Sequence, residues 1–144
     1  MNATIVLGKK YHCKSEFETE FFAFSIASNI KPPYVLYLKG DLGVGKTYFA
    51  RMICKYYDLP EVKSSSFAKV SSLQGKINLI HCDLYRKRPD INFYEEEVEP
   101  LLIDPWVLII EWGVEGDWDF GCPEYVIQAE YLGMHERHFT ILEH

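Results

Sequence analysis

The stretch "GDLGVGKT", residues 40 to 47, carries the residue types that bind phosphate. Gly40, Gly45, Lys46 and Thr47 fit G-x-x-x-x-G-K-[ST] without mismatch. Average residue frequencies give roughly a half-per-cent chance of one such match in a chain this long. Glycines let a backbone wrap a phosphate and point its N–H groups inward. Gly40, Asp41, Leu42, Gly43, Val44 and Gly45 are therefore candidate nucleotide contacts. A helix opening at Lys46 adds the positive end of its dipole. The Lys46 ammonium would reach the β- and γ-phosphates, Thr47 would place its hydroxyl on Mg²⁺, and Tyr48 follows in the same turn.

Such a loop needs an acid to handle the metal and the attacking water. "INLIHCD" ends in Asp83 and "WVLIIE" ends in Glu111, each at the close of an apolar run. If those runs are strands parallel to "YVLYLK", both acids emerge beside the phosphates. The residues leave open which acid orients water and which holds the metal. Lys46, Asp83 and Glu111 are the candidate catalytic groups. The sequence holds no NKxD guanine-reading signature, which favours ATP or ADP over guanine nucleotides. Arg86 and Arg88 in "DLYRKR" fall near the same rim, as phosphate contacts, partner surface or solvated charges. The run Glu95, Glu96, Glu97 reads as a solvated helical face.

The elements that must position these groups follow from pattern. Residues 3 to 7 are expected to form an edge strand. Ser15, three before Glu18, is a capping-box pattern opening a helix to about Ile30, with Phe17, Phe21 and Phe24 at core spacing. Pro32 and Pro33 stop it. "YVLYLK" reads as a buried strand, and a second helix runs from about Lys46 to Tyr57. "FAKVSS" and "KINLIHC" flank Gln74-Gly75 as a hairpin. Residues 90 to 103 read as short helical pieces broken at Pro100. Asp104-Pro105 turns into "WVLIIEW", an apolar run typical of a strand covered on both faces. "YVIQAEY" and "HFTIL" form a hairpin around Gly133. Helices interleaved with apolar strands imply an α/β fold with a mixed sheet.

Composition narrows the partners. The 144 residues suffice for one domain, expected over 1–141, and the terminal "LEH" resembles the stub of an expression tag. A net charge of −6 disfavours tight direct binding of tRNA or other nucleic acid. Four scattered cysteines and no long apolar run point to reduced thiols in a cytoplasmic chain with no membrane partner. His135 and His138 are three apart without a third ligand, so their spacing does not make a metal site.

With loop and acids placed, the chain resembles the TsaE (YjeE) family of ATPases that support threonylcarbamoyladenosine formation in bacterial tRNA. The matching pieces are "LKGDLGVGKT", "VKSSSF", "HCDLYR" and "IIEWG", with agreeing spacing along nearly all of residues 15 to 137. The resemblance implies a three-layer P-loop NTPase fold with parallel core strands and flanking antiparallel hairpin strands. It also implies that Glu111, with Thr47, stands on the metal side and that Trp112 lies beside the nucleotide. Asp83 matches the DLYR aspartate. Thr19 and Arg137 match residues that approach ATP from the first helix and from late in the chain. The implied cofactors are ATP/ADP and Mg²⁺. The implied partners are TsaD, which transfers the threonylcarbamoyl group, and its paralogue TsaB, with tRNA reached through that complex. Two departures stand out. Ser64, Ser65, Ser66 and Phe67 replace an SPTF segment, and Gly113 replaces the usual proline after the EW pair. A small-molecule phosphotransferase, or an ATP-dependent binding switch, is the alternative use of the same cradle.

Overall fold

A computed structural model describes residues 6–40, 46–60, 70–85 and 90–144. Seven strands form one sheet in the order β1-β7-β6-β2-β5-β4-β3. The strands are β1 (Lys10–Cys13), β2 (Tyr34–Lys39), β3 (Val70–Gln74), β4 (Asn78–Asp83), β5 (Trp106–Glu111), β6 (Glu124–Tyr131) and β7 (Arg137–Glu143). β6, β2, β5 and β4 run parallel. β7 and β1 continue one flank antiparallel, and β3 closes the other. This is the mixed sheet that the residue pattern implies, with the parallel centre and antiparallel hairpins that the resemblance implies.

The parallel centre is apolar on both faces because both are covered. β5 is buried along its whole length, so its sequence shows no alternation. On one face Leu36, Leu38, Leu79, Val107, Ile109 and Ile127 pack against Phe22 and Ile26 of α1 (Glu16–Asn29) and Phe49 and Ile53 of α2 (Lys46–Tyr56). On the other, Val35, Tyr37, Ile80, Leu108 and Ile110 meet Tyr94 and Val98, with Trp118 and Phe120 at the margin. Tyr94 and Val98 belong to a π-helical turn, Tyr94–Val98, between the single turn α3 (Ile91–Phe93) and a 3₁₀ turn, Glu99–Leu101, that contains Pro100. Glu95, Glu96 and Glu97 are exposed, as a solvated face requires. Burial also accounts for the thiols: it pushes Cys13 up to about 11 and Cys82 up to about 12.

Two expectations need correction. The first concerns which face of α1 is inside. Ser15 caps the helix as expected, its hydroxyl accepting the Glu18 N–H at 3.2 Å. Phe17, however, is 74% exposed and Phe21 43%, while Thr19, Phe22, Ala23, Ile26 and Ala27 are buried. The helix carries two apolar stripes at helical spacing. The buried one contains Ala23 and Ala27, whose small side chains let the helix axis approach its neighbours closely. The second correction concerns the edge strand. Residues 3 to 5 lie outside the described residues, and Val6 and Leu7 are exposed and not in a strand. The pairing with β7 is made by β1, with His12 opposite His138. The branched run "TIVL" has the higher strand propensity, but "KYHC" turns Cys13 into the core and Tyr11 against it.

Candidate functional site

The site is assembled where the parallel strands end. β2 leads into Gly40, whose φ of 140° is a conformation that L side chains rarely adopt. Lys46 is the first residue of α2. Asp83 closes β4 and Glu111 closes β5, and the two are register partners; Glu111 is in turn opposite Leu38 of β2. Parallel pairing thus brings both acids level with the entry to the phosphate loop.

Three polar side chains here are as buried as the core. Lys46 is 5% exposed, His81 5% and Glu111 3%. The Lys46 ammonium donates to the Gly40 carbonyl at 2.6 Å and lies 3.6 Å from the centre of the Trp112 ring. A carbonyl and an aromatic face together offset the loss of water around a cation. Glu111 Oε2 is 2.5 Å from His81 Nε2. Asp83 is half-buried, and its Oδ1 accepts the Tyr85 N–H at 3.1 Å.

Trp112 takes φ = 63°, uncommon for a residue with a side chain. That turn sets its ring between Lys46 and Tyr85, whose ring centre is 5.0 Å away. Lys39 fastens the following segment, its Nζ donating to the Gly113 carbonyl at 2.5 Å and pairing with Glu115 at 2.5 Å. A Cβ at Gly113 would come within 2.4 Å of Ile110 Cγ2. Gly113 is thus matched by an isoleucine tip that fills the space a side chain would need.

A second group surrounds the other side of α2's first turn. Thr19, Tyr48 and Arg137 line one pocket of about 120 Å³ with Glu16, His135 and Phe139. The Thr19 hydroxyl donates to the Ser15 carbonyl at 3.3 Å, and the Tyr48 hydroxyl to the Glu16 carbonyl at 3.4 Å. Burial, then the charges of Glu16 and Glu20, raise the Tyr48 phenol, which stays protonated. Arg137 donates to the carbonyls of Gly133 and Glu136 at 3.2 and 3.1 Å, and its guanidinium lies over the Tyr131 ring. Lys46, Thr47 and Tyr48 in one turn link the two groups.

Asp41, Leu42, Gly43, Val44, Gly45, the segment Ser64 to Phe67, and Arg86 and Arg88 lie outside the described residues. His81 lies within the matching stretch "HCDLYR", but its residue type alone assigns it no role. The available signal was its position two before Asp83 in a strand, which puts both side chains on one face. Among the described residues no three His, Cys, Asp or Glu side chains form a ready metal cage. Mg²⁺ does not require one, since it is commonly held by one or two carboxylates and phosphate oxygens. Thr47, Asp83 and Glu111 carry hard oxygen atoms, the donor type that Mg²⁺ takes.

The profile of the family described as "Threonylcarbamoyl adenosine biosynthesis protein TsaE" matches residues 13–139. The tRNA threonylcarbamoyladenosine biosynthesis protein TsaE of Rickettsia bellii is 39% identical over 101 residues, covering 68% of this chain and 69% of the relative. Its counterpart in Aquifex aeolicus is 31% identical over 137 residues, covering 92% and 95%. The crystal structure of YdiB from Bacillus subtilis superposes with a TM-score of 0.66 at 26% identity, covering 96% of this chain and 87% of that one. With a phosphate-loop motif at the end of β2 and acids ending two neighbouring parallel strands, the chain belongs to the TsaE family of tRNA threonylcarbamoyladenosine biosynthesis proteins.

Proposed function

We propose that this chain is a Mg²⁺-dependent ATPase that works in the cytoplasm as an accessory subunit of the tRNA threonylcarbamoyladenosine machinery, with TsaD and TsaB. The observation that carries the reading is the buried Lys46 at the start of α2, on the sheet edge where Asp83 and Glu111 stand side by side. On binding ATP, the Lys46 ammonium exchanges the Gly40 carbonyl for the β- and γ-phosphates. Thr47 and Glu111 would hold Mg²⁺, which would supply charge neutralisation at those phosphates. Asp83 orients the attacking water. Trp112 offers an aromatic face beside the nucleotide, and Thr19, Tyr48 and Arg137 close on it from the pocket across α2. No helix among the described residues is long and apolar enough to cross a membrane.

The net charge of −6 supports a division in which the partners, and not this chain, hold the tRNA. The test is reconstitution with TsaD, TsaB and tRNA, following phosphate release and modified tRNA over multiple turnovers with and without this chain. Expected are ATP-specific phosphate release, stimulated by the partners, and turnover that needs this chain. A phosphorylated small-molecule acceptor would instead identify a kinase, and ATP binding with almost no phosphate release a switch.

A further inference from the structure

We propose that His81 is the positioning residue of this site, pinning one oxygen of Glu111 so that the other is presented to the nucleotide. The inference rests on the reading of Glu111 as a group that acts on ATP. β4 and β5 are parallel, with His81 opposite Ile109 and Asp83 opposite Glu111. Ile109 and Leu79 lie in the cluster beneath α1 and α2, so period-two alternation puts His81, Asp83 and Glu111 on that same face. The His81 ring therefore sits one step behind two neighbouring carboxylates, and its Nε2 reaches Glu111 Oε2 at 2.5 Å.

Two physical features make this contact more than packing. Carboxylates directly opposite one another on adjacent strands repel, and a glutamate has several rotamers by which to turn away. With Glu111 3% exposed, little water is available to hold it in place. The imidazole, itself 5% exposed and fixed in the strand, supplies the one direct side-chain partner shown for the carboxylate among the described residues. A carboxylate held in advance need not be ordered when the substrate arrives. Outer partners of this kind, removed from metal-side carboxylates, typically cost 10–100-fold in activity or metal affinity.

The experiment compares wild type, His81→Leu, His81→Gln, Glu111→Ala and the double variant His81→Leu/Glu111→Ala, each with the partner pair. Phosphate release is measured, and ATP affinity is measured calorimetrically with and without Mg²⁺. In His81→Leu, turnover is expected to fall roughly 10–100-fold with KM little changed, and the Mg²⁺-dependent gain in ATP affinity to shrink. Mg²⁺-free affinity should stay put, which shows that the variant is folded. His81→Gln keeps an N–H donor of similar reach and should recover most of the loss. In the Glu111→Ala background, His81→Leu should add nothing further. Wild-type turnover in His81→Leu, losses that multiply in the double variant, or no recovery in His81→Gln would each overturn the inference alone. A wild type that releases no phosphate even with its partners would remove the ATPase reading, and this inference with it.

Discussion

β2, β4 and β5 each pass through two kinds of interior. At mid-strand, Leu36, Leu79 and Ile109 are buried against Phe22 and Phe49, and nothing about their contacts is directional. Toward the carboxyl ends, His81 and Glu111, with Lys46 of α2 nearby, are equally buried, yet each depends on named partners: a carbonyl and an indole for Lys46, and one another for His81 and Glu111. Apolar burial contributes in proportion to area, roughly 25 cal/mol per Å². A buried polar contact adds only about 0.5–1.5 kcal/mol net but leaves an expensive orphan when broken. The first region holds the fold and the second is organised for chemistry. Substitutions should therefore separate stability from function along the same strands.

The largest effect is expected in the aromatic centre. The Phe22 ring lies 5.2 Å from that of Phe139 and 6.1 Å from that of Phe49, and is 4% exposed. Phe22→Ala should cost about 3–5 kcal/mol of unfolding free energy, read from urea denaturation. Nucleotide affinity of the folded fraction should be unchanged. An affinity loss matching the stability loss would break the division between the two regions.

Glu111→Ala tests the other side. Hydrolysis should fall roughly 10²-fold or more, the scale for one well-placed catalytic group. ATP affinity without Mg²⁺ should hold, or tighten through relieved repulsion with the phosphates, while the gain in affinity that Mg²⁺ brings should shrink. Paired measurement of affinity and phosphate release, with and without partners, checks both. If the variant hydrolyses ATP at the wild-type rate, Glu111 is structural and Asp83 inherits the role.

The pattern of legibility follows the same division. The parallel strands and the acids that end them are legible because each rests on local sequence, an apolar run that stops at a carboxylate, and the motif marks where β2 gives way to α2. The hairpins at Gly75 and Gly133 were readable from turn chemistry. What was not readable depends on tertiary placement. Neither the His81–Glu111 contact nor the seat of Lys46 on Trp112 follows from spacing, because each joins different elements and Trp112 needs a positive φ to reach its place. The buried stripe of α1 is not legible from spacing because two apolar stripes share the helix, and only packing against the sheet and α2 decides between them.

Lys46→Ala sharpens the comparison at intermediate size. A charge-assisted hydrogen bond is worth roughly 1.5–3 kcal/mol, so triphosphate affinity should fall about 10- to 150-fold by calorimetry. Removing the ammonium also removes its contact with the indole, so the Trp112 emission of the free protein should shift. Unchanged ATP affinity would dissociate the loop from the phosphates.

The smallest effect is expected five residues before Phe22, on the same helix. Phe17 is the same residue type at a position that sequence spacing assigned to the core, but it is 74% exposed. Phe17→Ser removes a whole ring, and in the interior such a loss would cost several kcal/mol. At the surface little apolar area is re-exposed, and serine and phenylalanine have similar helix propensities. The residue lies in the first turn, where the Ser15 cap holds the end of the helix independently of the ring. The unfolding free energy should therefore change by no more than about 0.5 kcal/mol. The urea midpoints of Phe17→Ser and Phe22→Ala, measured side by side, decide which stripe of α1 faces inward. A loss above about 2 kcal/mol in Phe17→Ser would mean that α1 is rotated to bury the phenylalanine stripe, and Thr19 would then leave the pocket it shares with Tyr48 and Arg137.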